Sequence, residues 1–332
     1  MSSVIRVPEA RATDGGRLTA HDAWRILRDL GAVSLVRESL VRFRYGDGFS
    51  HARALGLQLS LAAIPLVIAV VGLSNELSSG TLGLLLRRTL LSLTPGASDA
   101  LLRRALSPLS DAGNDTGAEL ALWLGMGFSL LALTMAMGQL ERGANRIYGI
   151  QRDRPSLVKY RRAALLAALA GLPAMAGSLI LVAAPAFGDV VEQVSGIDDD
   201  AVSALAWPTG AGLMLSAVIV MLRHSPRREQ PSWSWLVIGS AAVLVSWMLL
   251  TALLASYLGV STKLGSVYGP LTGVMALLLW AQLTLAALFL GLAVCAQMEA
   301  AAAGHPSEQL SRPVDQDLLG CGVGGLTVGS FD

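Results

Sequence analysis

Polar side chains inside long apolar stretches are the residues of this sequence that could do chemistry. Such a group is costly in hydrocarbon without a partner, so it bonds to a neighbouring helix or to a substrate. A bond between helices contributes about 0.6 kcal/mol on average, and interrupted helices can line binding cavities, so both roles stay open. The candidates for a substrate-cavity lining are three amides, a hydroxyl and a helix-interrupting proline: Gln58, Gln139, Gln282, Ser60 and Pro65.

The sequence lacks the motifs that enzymes use for hydrolysis or nucleotide chemistry. No HExxH, GxSxG or Walker A pattern occurs, and the four histidines are far apart in the sequence. The predicted membrane spans contain no Asp, Glu, Lys, Arg or His, so no acid–base pair is available at depth. Three adjacent aspartates at 198–200 rarely converge on one cation. We therefore expect a protein that is not an enzyme and that holds no metal and no cofactor.

The composition places these residues in a membrane protein. Of the 332 residues, 53% are hydrophobic and only 15% are charged, and the mean hydropathy is +0.56. A soluble globular chain carries about 25% charged residues. The net charge of +1 provides no basic surface for a polyanion, so no nucleic-acid partner is expected. These values exclude an ordinary soluble enzyme and a nucleic-acid-binding module.

Six uncharged stretches are long enough to cross a bilayer. A spanning helix needs about 20 apolar residues, because each residue adds about 1.5 Å and the hydrocarbon is about 30 Å thick. The predicted spans are residues 54–75, 120–140, 163–188 and 201–222, with two more inside 231–262 and 264–298. The predicted fold class is therefore all-α: a polytopic membrane protein with a six-helix transmembrane bundle and amphipathic surface helices.

The positive charges favour one orientation of these spans. Twenty of the 25 lysines and arginines lie before the first span, between spans two and three, between spans four and five, or after the last span. The positive-inside rule therefore places both chain termini in the cytoplasm. Tryptophans near the span ends fit an interfacial aromatic belt. They are Trp123 and Trp207 at outer ends, and Trp233 and Trp235 at an inner end.

The chain divides into three predicted parts. Residues 1–48 are a cytoplasmic N-terminal region, residues 49–298 the transmembrane domain, and residues 299–332 a disordered cytoplasmic tail. Leucines at helical spacing predict two short surface helices in the first outer loop, at residues 82–93 and 101–106.

One amphipathic helix is predicted in the N-terminal region, over residues 18–44. Its arginines lie off the apolar stripe, and Thr19 with Asp22 can form a capping pair at its start. An apolar stripe with flanking arginines suits the headgroup layer. The same stripe would equally allow the helix to pack under the bundle, so both positions stay open.

Several short motifs stand in order along most of the chain. They are FSHARAL at 49–55, ANRIYG at 144–149, WSW at 233–235, YGPL at 268–271, LW at 279–280 and LG at 290–291. In this combination the chain resembles the BrkB/YihY family of bacterial inner-membrane proteins. The positions that carry the resemblance are Asn145, Tyr148, Arg161, Tyr268, Gly269, Trp280 and Gly291.

The resemblance implies six transmembrane helices, both termini in the cytoplasm, and a location in the bacterial cytoplasmic membrane. Family members were once labelled as a ribonuclease, a label regarded as mistaken, and one branch is linked to virulence and serum resistance. The acid that usually stands two residues after the glycine of the last span is Ala293 here. The chain therefore departs from the family pattern at this position.

The motif residues also have physical interpretations. Asn145 is predicted to cap a helix end, and Tyr148 to lie at the membrane interface. The arginines between 142 and 162 are predicted to hold anionic headgroups at about 1 kcal/mol each, which makes membrane lipids the expected partners. Small residues four apart are predicted to let helices approach closely. They include Ala167 with Gly171 and Ala287 with Gly291.

Two functions from different classes are compatible with these residues. The favoured one is transport or lipid handling across the cell envelope, which predicts a cavity that reaches the middle of the bilayer and is lined by Gln58, Ser60 or Gln282. The alternative is a structural or regulatory envelope protein that docks partners through its loops. Neither the substrate nor the oligomeric state follows from the residues.

Overall fold

The protein is built from α-helices. The computed structural model describes residues 4–8, 18–76, 115–195, 199–260 and 271–304. The predicted all-α fold is confirmed for these residues. In chain order the helices are α1 (Ala20–Leu30), α2 (Ala32–Tyr45), α3 (Gly48–Glu76), α4 (Asp115–Ile147), α5 (Ser156–Ser195), α6 (Asp199–His224), α7 (Trp233–Val260) and α8 (Leu271–Ala302).

Within these ranges, four helices are long and apolar enough to cross a membrane. They are Leu122–Ile147 in α4, Ala204–His224 in α6, Trp233–Leu258 in α7 and Gly273–Ala302 in α8, and they coincide with predicted spans two, four, five and six. In the first three, less than a quarter of the most apolar window is buried, so most of its residues are not enclosed by protein. Predicted spans one and three lie in α3 and α5, which are helical but are not among the four.

The helix α8 is the centre of the bundle. From Leu285 to Ala300, every residue except Leu290 is buried. α8 packs mainly against α3 and α7, and α2 crosses it near its C-terminal end. A helix that is apolar on all sides suits such a surrounded position. Any polar side chain on the last turns of α8 is consequently enclosed by protein.

The helices α7 and α8 approach closely at two glycines. A Cβ on Gly291 would overlap Cγ2 of Val243 and lie 3.0 Å from the carbonyl oxygen of Gly239, and a Cβ on Gly239 would overlap Sγ of Cys295. The predicted close approach at Gly291 is therefore confirmed. In the other pair, Ala167 is buried, whereas no described atom lies within 4 Å of the position that a Cβ would take on Gly171.

The N-terminal amphipathic segment forms two helices that meet at Gly31. Gly31 has a φ of 77°, which its missing side chain permits, and its N–H donates to the carbonyl of Leu27. The prediction of one helix over residues 18–44 was therefore wrong. The capping pair was predicted correctly, because the N–H of Thr19 donates to Oδ2 of Asp22 at 2.9 Å.

Helices α1 and α2 pack under the bundle, at the ends of α7 and α8. The backbone N–H of Ala20 donates to Oγ of Ser234 at 3.2 Å, and Leu35 and Phe43 are buried in the common core. The exposed side of these helices carries arginines and also large apolar residues, which are Trp24, Val33, Val36 and Leu40. Packing under the bundle thus occurs, and several apolar side chains are left uncovered.

One tryptophan of the predicted aromatic belt lies inside the protein. Trp235 is fully buried, because α1 packs on the start of α7. Its assignment to the interface was therefore wrong. The other three belt residues are exposed: Trp123, Trp207 and Trp233.

The last helix runs further than the predicted domain boundary. α8 continues to Ala302, so residues 299–302 belong to a helix and not to the tail. Several predictions lie outside the described residues. They concern the surface helices of the first outer loop, Tyr268, Gly269 and the tail from residue 305.

Candidate functional site at the charged end

Charged side chains gather at one end of the bundle, which we call the charged end. It is formed by α1 and α2, by the connections 148–155 and 225–232, and by the last turns of α8. Residues 4–8 lie across it, where the N–H of Val7 donates to the carbonyl of Tyr148 at 3.1 Å. Segments that are distant in sequence therefore meet at this end.

The carboxylate of Glu299, fully buried in α8, is the centre of the charged end. Its Oε2 accepts a hydrogen bond from Nη2 of Arg228 at 2.5 Å, and its Oε1 accepts one from the hydroxyl of Tyr148 at 3.1 Å. The same hydroxyl lies 3.3 Å from Oε1 of Gln230. Nη1 of Arg228 donates to the carbonyl of Val7 at 3.2 Å. A buried charge needs such pairing and hydrogen bonding to be tolerated.

A second buried cation joins α2 to the bundle. Nε of Arg42 donates to Oε1 of Gln297 at 3.0 Å, and Nη1 donates to the carbonyls of Ile147 at 3.3 Å and Ile5 at 3.4 Å. Arg42 lies off the apolar stripe of the predicted amphipathic helix, and its burial was not foreseen. This arginine ties α2 to α4, α8 and the N-terminal segment at once.

A more exposed cluster surrounds Asp153, between α4 and α5. Its Oδ1 accepts a hydrogen bond from Nδ2 of Asn145 at 2.9 Å, and its Oδ2 accepts from Nζ of Lys159 at 3.1 Å and from Nε of Arg142 at 3.4 Å. Oδ1 of Asn145 accepts the backbone N–H of Arg227 at 2.7 Å. The predicted role of Asn145 as a helix cap was therefore wrong, because its side chain bridges the two connections.

The pKa values of Tyr148 and Asp153 at the charged end differ from their usual values. Burial, followed by the negative charge of Glu299, raises the pKa of Tyr148 well above its usual 10.0. Partial burial raises the pKa of Asp153, but the hydrogen bonds from Asn145 and Lys159 outweigh it, and the pKa is lowered from 3.8.

Because Tyr148 is fully buried, its predicted place at the membrane interface was wrong.

We expect Tyr148 to keep its proton in alkaline solution while the protein is folded. A raised pKa in the folded state stabilises the fold below pH 10.0, and this contribution is lost as the pH rises further, because the unfolded chain ionises first. At about pH 11 the phenolate absorbance of the folded protein should therefore lack one tyrosine relative to the unfolded protein. The folded Tyr148→Phe variant should have the same phenolate absorbance at this pH as the folded wild type. A smaller absorbance in the variant would show that Tyr148 ionises in the folded protein.

A cavity of about 190 Å³ opens beside the Glu299 network. It lies where one candidate span ends at His224 and before the next begins at Trp233. Its lining is rich in arginine and consists of Arg154, Arg162, Arg223, His224, Pro226, Arg228, Glu229 and Gln230. In the described part of the chain, no three His, Cys, Asp or Glu side chains are grouped to hold a metal ion. The lining therefore favours an anion over a cation.

Contacts within the protein hold the guanidinium groups of Arg154 and Arg223 beside the cavity. Nη1 of Arg154 lies 3.0 Å from Oε2 of the buried Glu141. Nη1 of Arg223 donates to the carbonyl of Pro231 at 2.9 Å, and its guanidinium lies 4.5 Å from the ring centroid of Trp233. Arg154 and Arg223 therefore have fixed directions before any ligand arrives.

The residues proposed from the sequence as a substrate-cavity lining do not line this cavity. The hydroxyl of Ser60 donates to the carbonyl of Gly56 in its own helix at 2.9 Å. A Cβ on Gly56 would lie 2.9 Å from Cα of Gln282, so α3 and α8 are in close contact here. Oε1 of Gln58 is buried without a hydrogen-bond partner among the described residues. Pro65 and Gln139 are half-buried.

The positions that carry the family resemblance separate by location. Asn145 and Tyr148 belong to the charged end, and Gly291 forms the crossing of α7 and α8. Arg161 and Trp280 are exposed. Arg161 does not line the cavity, whereas the neighbouring Arg162 does.

The sequence analysis missed the buried charges of the site. Glu299 stands immediately after the last predicted span, where a charge suggests the membrane boundary. One signal was available, because Ala300, Ala301 and Ala302 continue a good helix sequence past the charge. Arg228 lies in a short basic loop that the positive-inside rule explains without any partner. Its pairing with Glu299 becomes visible only in the folded protein.

The fold and these contacts define a multi-pass membrane protein that is helical and has a polar network at one end. The family model described as virulence factor BrkB matches residues 39–315, which is most of the chain. The protein therefore belongs to the BrkB family, and the resemblance seen in the motifs is confirmed. Neither the curated proteins nor the solved structures contain a match to the chain.

Proposed function

We propose that the protein crosses the bacterial inner membrane six times and handles lipids at the cytoplasmic face. Besides the four apolar spans, two further helices support a total of six membrane crossings. α3 has 29 residues and α5 has 40, which at 1.5 Å per residue is about 44 and 60 Å. Both lengths exceed the hydrocarbon thickness of about 30 Å.

The charged end supports a cytoplasmic location for both chain termini. Basic residues of the N-terminal region, of the α4–α5 connection and of the α6–α7 connection meet there. Such residues stay on the cytoplasmic side during insertion. Reporter domains fused to either end should therefore be active only in the cytoplasm, and periplasmic activity at one end would contradict this orientation.

The arginine-lined cavity is the observation that carries lipid handling. It lies at the depth where two candidate spans meet, which in a bilayer is the headgroup region. The exposed rings of Trp233, which stacks with Arg223, and of Tyr160 on α5 suit the same depth. An anionic headgroup can enter the cavity there while its acyl chains stay in the hydrocarbon. The protein would thus hold an anionic lipid at the cytoplasmic face before the lipid is moved within the envelope.

A lipid comparison of a deletion strain with its parent tests this function. Deletion should change the amount or distribution of an anionic lipid, and complementation with the wild type should restore it. Arg162→Ala, which changes the cavity lining, should fail to restore it. Arg53→Ala should succeed, because Arg53 is exposed at the same end of the bundle and outside the cavity. A deletion strain whose lipids match those of its parent would contradict lipid handling.

A second function, docking of a protein partner, is favoured by the uncovered face of α2. Val33, Val36 and Leu40 are exposed on one side of this helix. Exposed apolar patches mark protein or membrane contacts. Photo-crosslinking from Val36 distinguishes the two: a reproducible protein neighbour supports a structural or regulatory role, and lipid adducts alone support insertion into the headgroup layer.

A further inference from the structure

We infer that the arginine-lined cavity binds a phosphate group, supplied either by a lipid headgroup or by free phosphate. The lipid source deepens the proposed function and rests on it, whereas the site for a phosphate group stands on the geometry of the cavity alone.

The volume of the cavity limits the ligand to a small group. About 190 Å³ is less than the roughly 300–1,000 Å³ of pockets that enclose whole small molecules. A water molecule occupies about 30 Å³, so a phosphate group and a few waters fit. A nucleotide or an entire lipid does not. A larger ligand must leave most of its volume outside, as a lipid does when only its headgroup is bound.

Buried carboxylates hold two of the arginines in position. Glu141 fixes Arg154, and Glu299 fixes Arg228, and both of these acids are inside the protein. A guanidinium carries five N–H donors. All three nitrogens of Arg228 already donate to protein oxygens, so Arg228 shapes the cavity wall while the exposed Arg162 can offer its donors to a ligand. An arginine-rich lining suits the several oxygens of a phosphate better than the two of a carboxylate.

Arg162 and Gln230 in the lining have donors without an acceptor among the described residues. Arg162 has no ion pair or hydrogen bond within the described residues. Gln230 is only 7% exposed, yet its Nε2 has no hydrogen-bond partner in the described structure. A buried N–H without an acceptor is costly, but the Nε2 of Gln230 is also closed to solvent. The donors that an anion in the cavity can reach are therefore those of the exposed Arg162.

The single acid of the lining does not oppose this assignment. Glu229 is exposed, so water and salt screen its charge. Four arginines share the lining with it, and Glu141 and Glu299 pair with two of them. The four positive charges therefore exceed these three negative charges by one, and the remaining charge favours an anion.

Binding to the purified full-length protein tests the inference in two arms. In detergent without added lipid, inorganic phosphate is titrated by calorimetry. In nanodiscs of phosphatidylglycerol and phosphatidylcholine, native mass spectrometry counts the lipids that the protein retains. If the cavity binds free phosphate, Arg162→Ala should weaken phosphate binding about tenfold, and if it binds a lipid headgroup, the same change should weaken lipid retention about tenfold. This is the loss expected for one charge-assisted contact. Arg162→Glu should abolish the binding.

Arg53→Ala and Arg53→Glu are the matched controls, because they make the same charge changes outside the cavity. Each should bind as the wild type does. Arg162 is exposed and has no protein partner within the described residues, so its variants should fold, and their melting temperatures check this.

The outcomes separate the two sources. Preferential retention of phosphatidylglycerol, lost only in the Arg162 variants, assigns a lipid headgroup. Binding of inorganic phosphate without lipid preference assigns free phosphate. Equal losses in the Arg53 and Arg162 variants, or binding by none of the proteins, would overturn the inference. Phosphate binding combined with unchanged lipids in the deletion strain would keep the site and remove only the proposed lipid handling.

Discussion

Replacing Glu299 with alanine is expected to lower the free energy of unfolding by about 3–5 kcal/mol, the usual loss when one partner of a buried ion pair is removed. Arg228 has only 3% of its side chain exposed, so water cannot replace the carboxylate that pairs with it. The hydroxyl of Tyr148 loses its acceptor in the same variant. Denaturant or thermal unfolding of the purified protein in detergent measures the change.

A pair of similar chemistry at the surface provides the control. Arg142 pairs with Asp153 at 3.4 Å, but 52% of its side chain is exposed. Arg142→Ala should therefore cost less than about 1 kcal/mol. The double variant Glu299→Gln with Arg228→Gln should be more stable than Glu299→Ala, because it leaves no buried charge without a counter-charge. Equal losses in the buried and exposed variants would show that water reaches Glu299, and would contradict the network.

The Glu299 network connects stability to the shape of the cavity. Arg228 forms part of the cavity wall and is also the cation that Glu299 holds. A change at Glu299 therefore removes the contact that holds Arg228 in the cavity wall, even though Glu299 does not line the cavity. Stability and anion binding should thus fall together in the Glu299 variants, while they separate in the Arg162 variants.

The apolar regions of the fold could be predicted because their signals are local. A span is a run of about 20 residues without charge, and its length alone matches the hydrocarbon thickness. The Thr19–Asp22 capping pair is likewise contained within four residues. The break at Gly31 also had a local signal, since a glycine that interrupts a helical pattern can end a helix.

The site could not be predicted because its contacts join distant parts of the chain. Glu299 is 71 residues from Arg228 and 151 residues from Tyr148 in the sequence. Each of the three has an ordinary local explanation: the end of a span, a basic loop and an interfacial aromatic. Their burial follows from the covering of this end by α1, α2 and residues 4–8, which no periodicity reveals. Trp235 was misplaced for the same reason.

Helix crossings show the same limit in an apolar setting. Ala167 with Gly171 and Ala287 with Gly291 have identical four-residue spacing, and both pairs predict a close approach. Among the described residues, Gly291 closely faces another helix because α8 is surrounded, whereas no described atom lies within 4 Å of a Cβ on Gly171. The four-residue spacing shows where a neighbouring helix could approach closely. Whether a helix does approach there depends on how the whole bundle packs.

Replacing Gly291 with alanine is expected to cost about 1–3 kcal/mol of unfolding free energy, as overpacking does in a filled core. The new methyl would overlap Cγ2 of Val243 and press on the carbonyl of Gly239 at 3.0 Å. Valine is stiff at χ1, and the carbonyl belongs to a helix backbone, so α7 and α8 must separate to relieve the contact. Unfolding in detergent measures the loss.

The same substitution at Gly171 is the control, because a methyl there meets no described atom within 4 Å. Gly171→Ala should be neutral or stabilise the protein by up to about 1 kcal/mol through helix propensity. Adding Val243→Ala to Gly291→Ala removes the atom that the methyl overlaps, so the double variant should be more stable than Gly291→Ala alone. Rescue of this kind requires that the two residues touch across the crossing. If Gly291→Ala proved as harmless as Gly171→Ala, α7 and α8 would be further apart than the glycine contacts require.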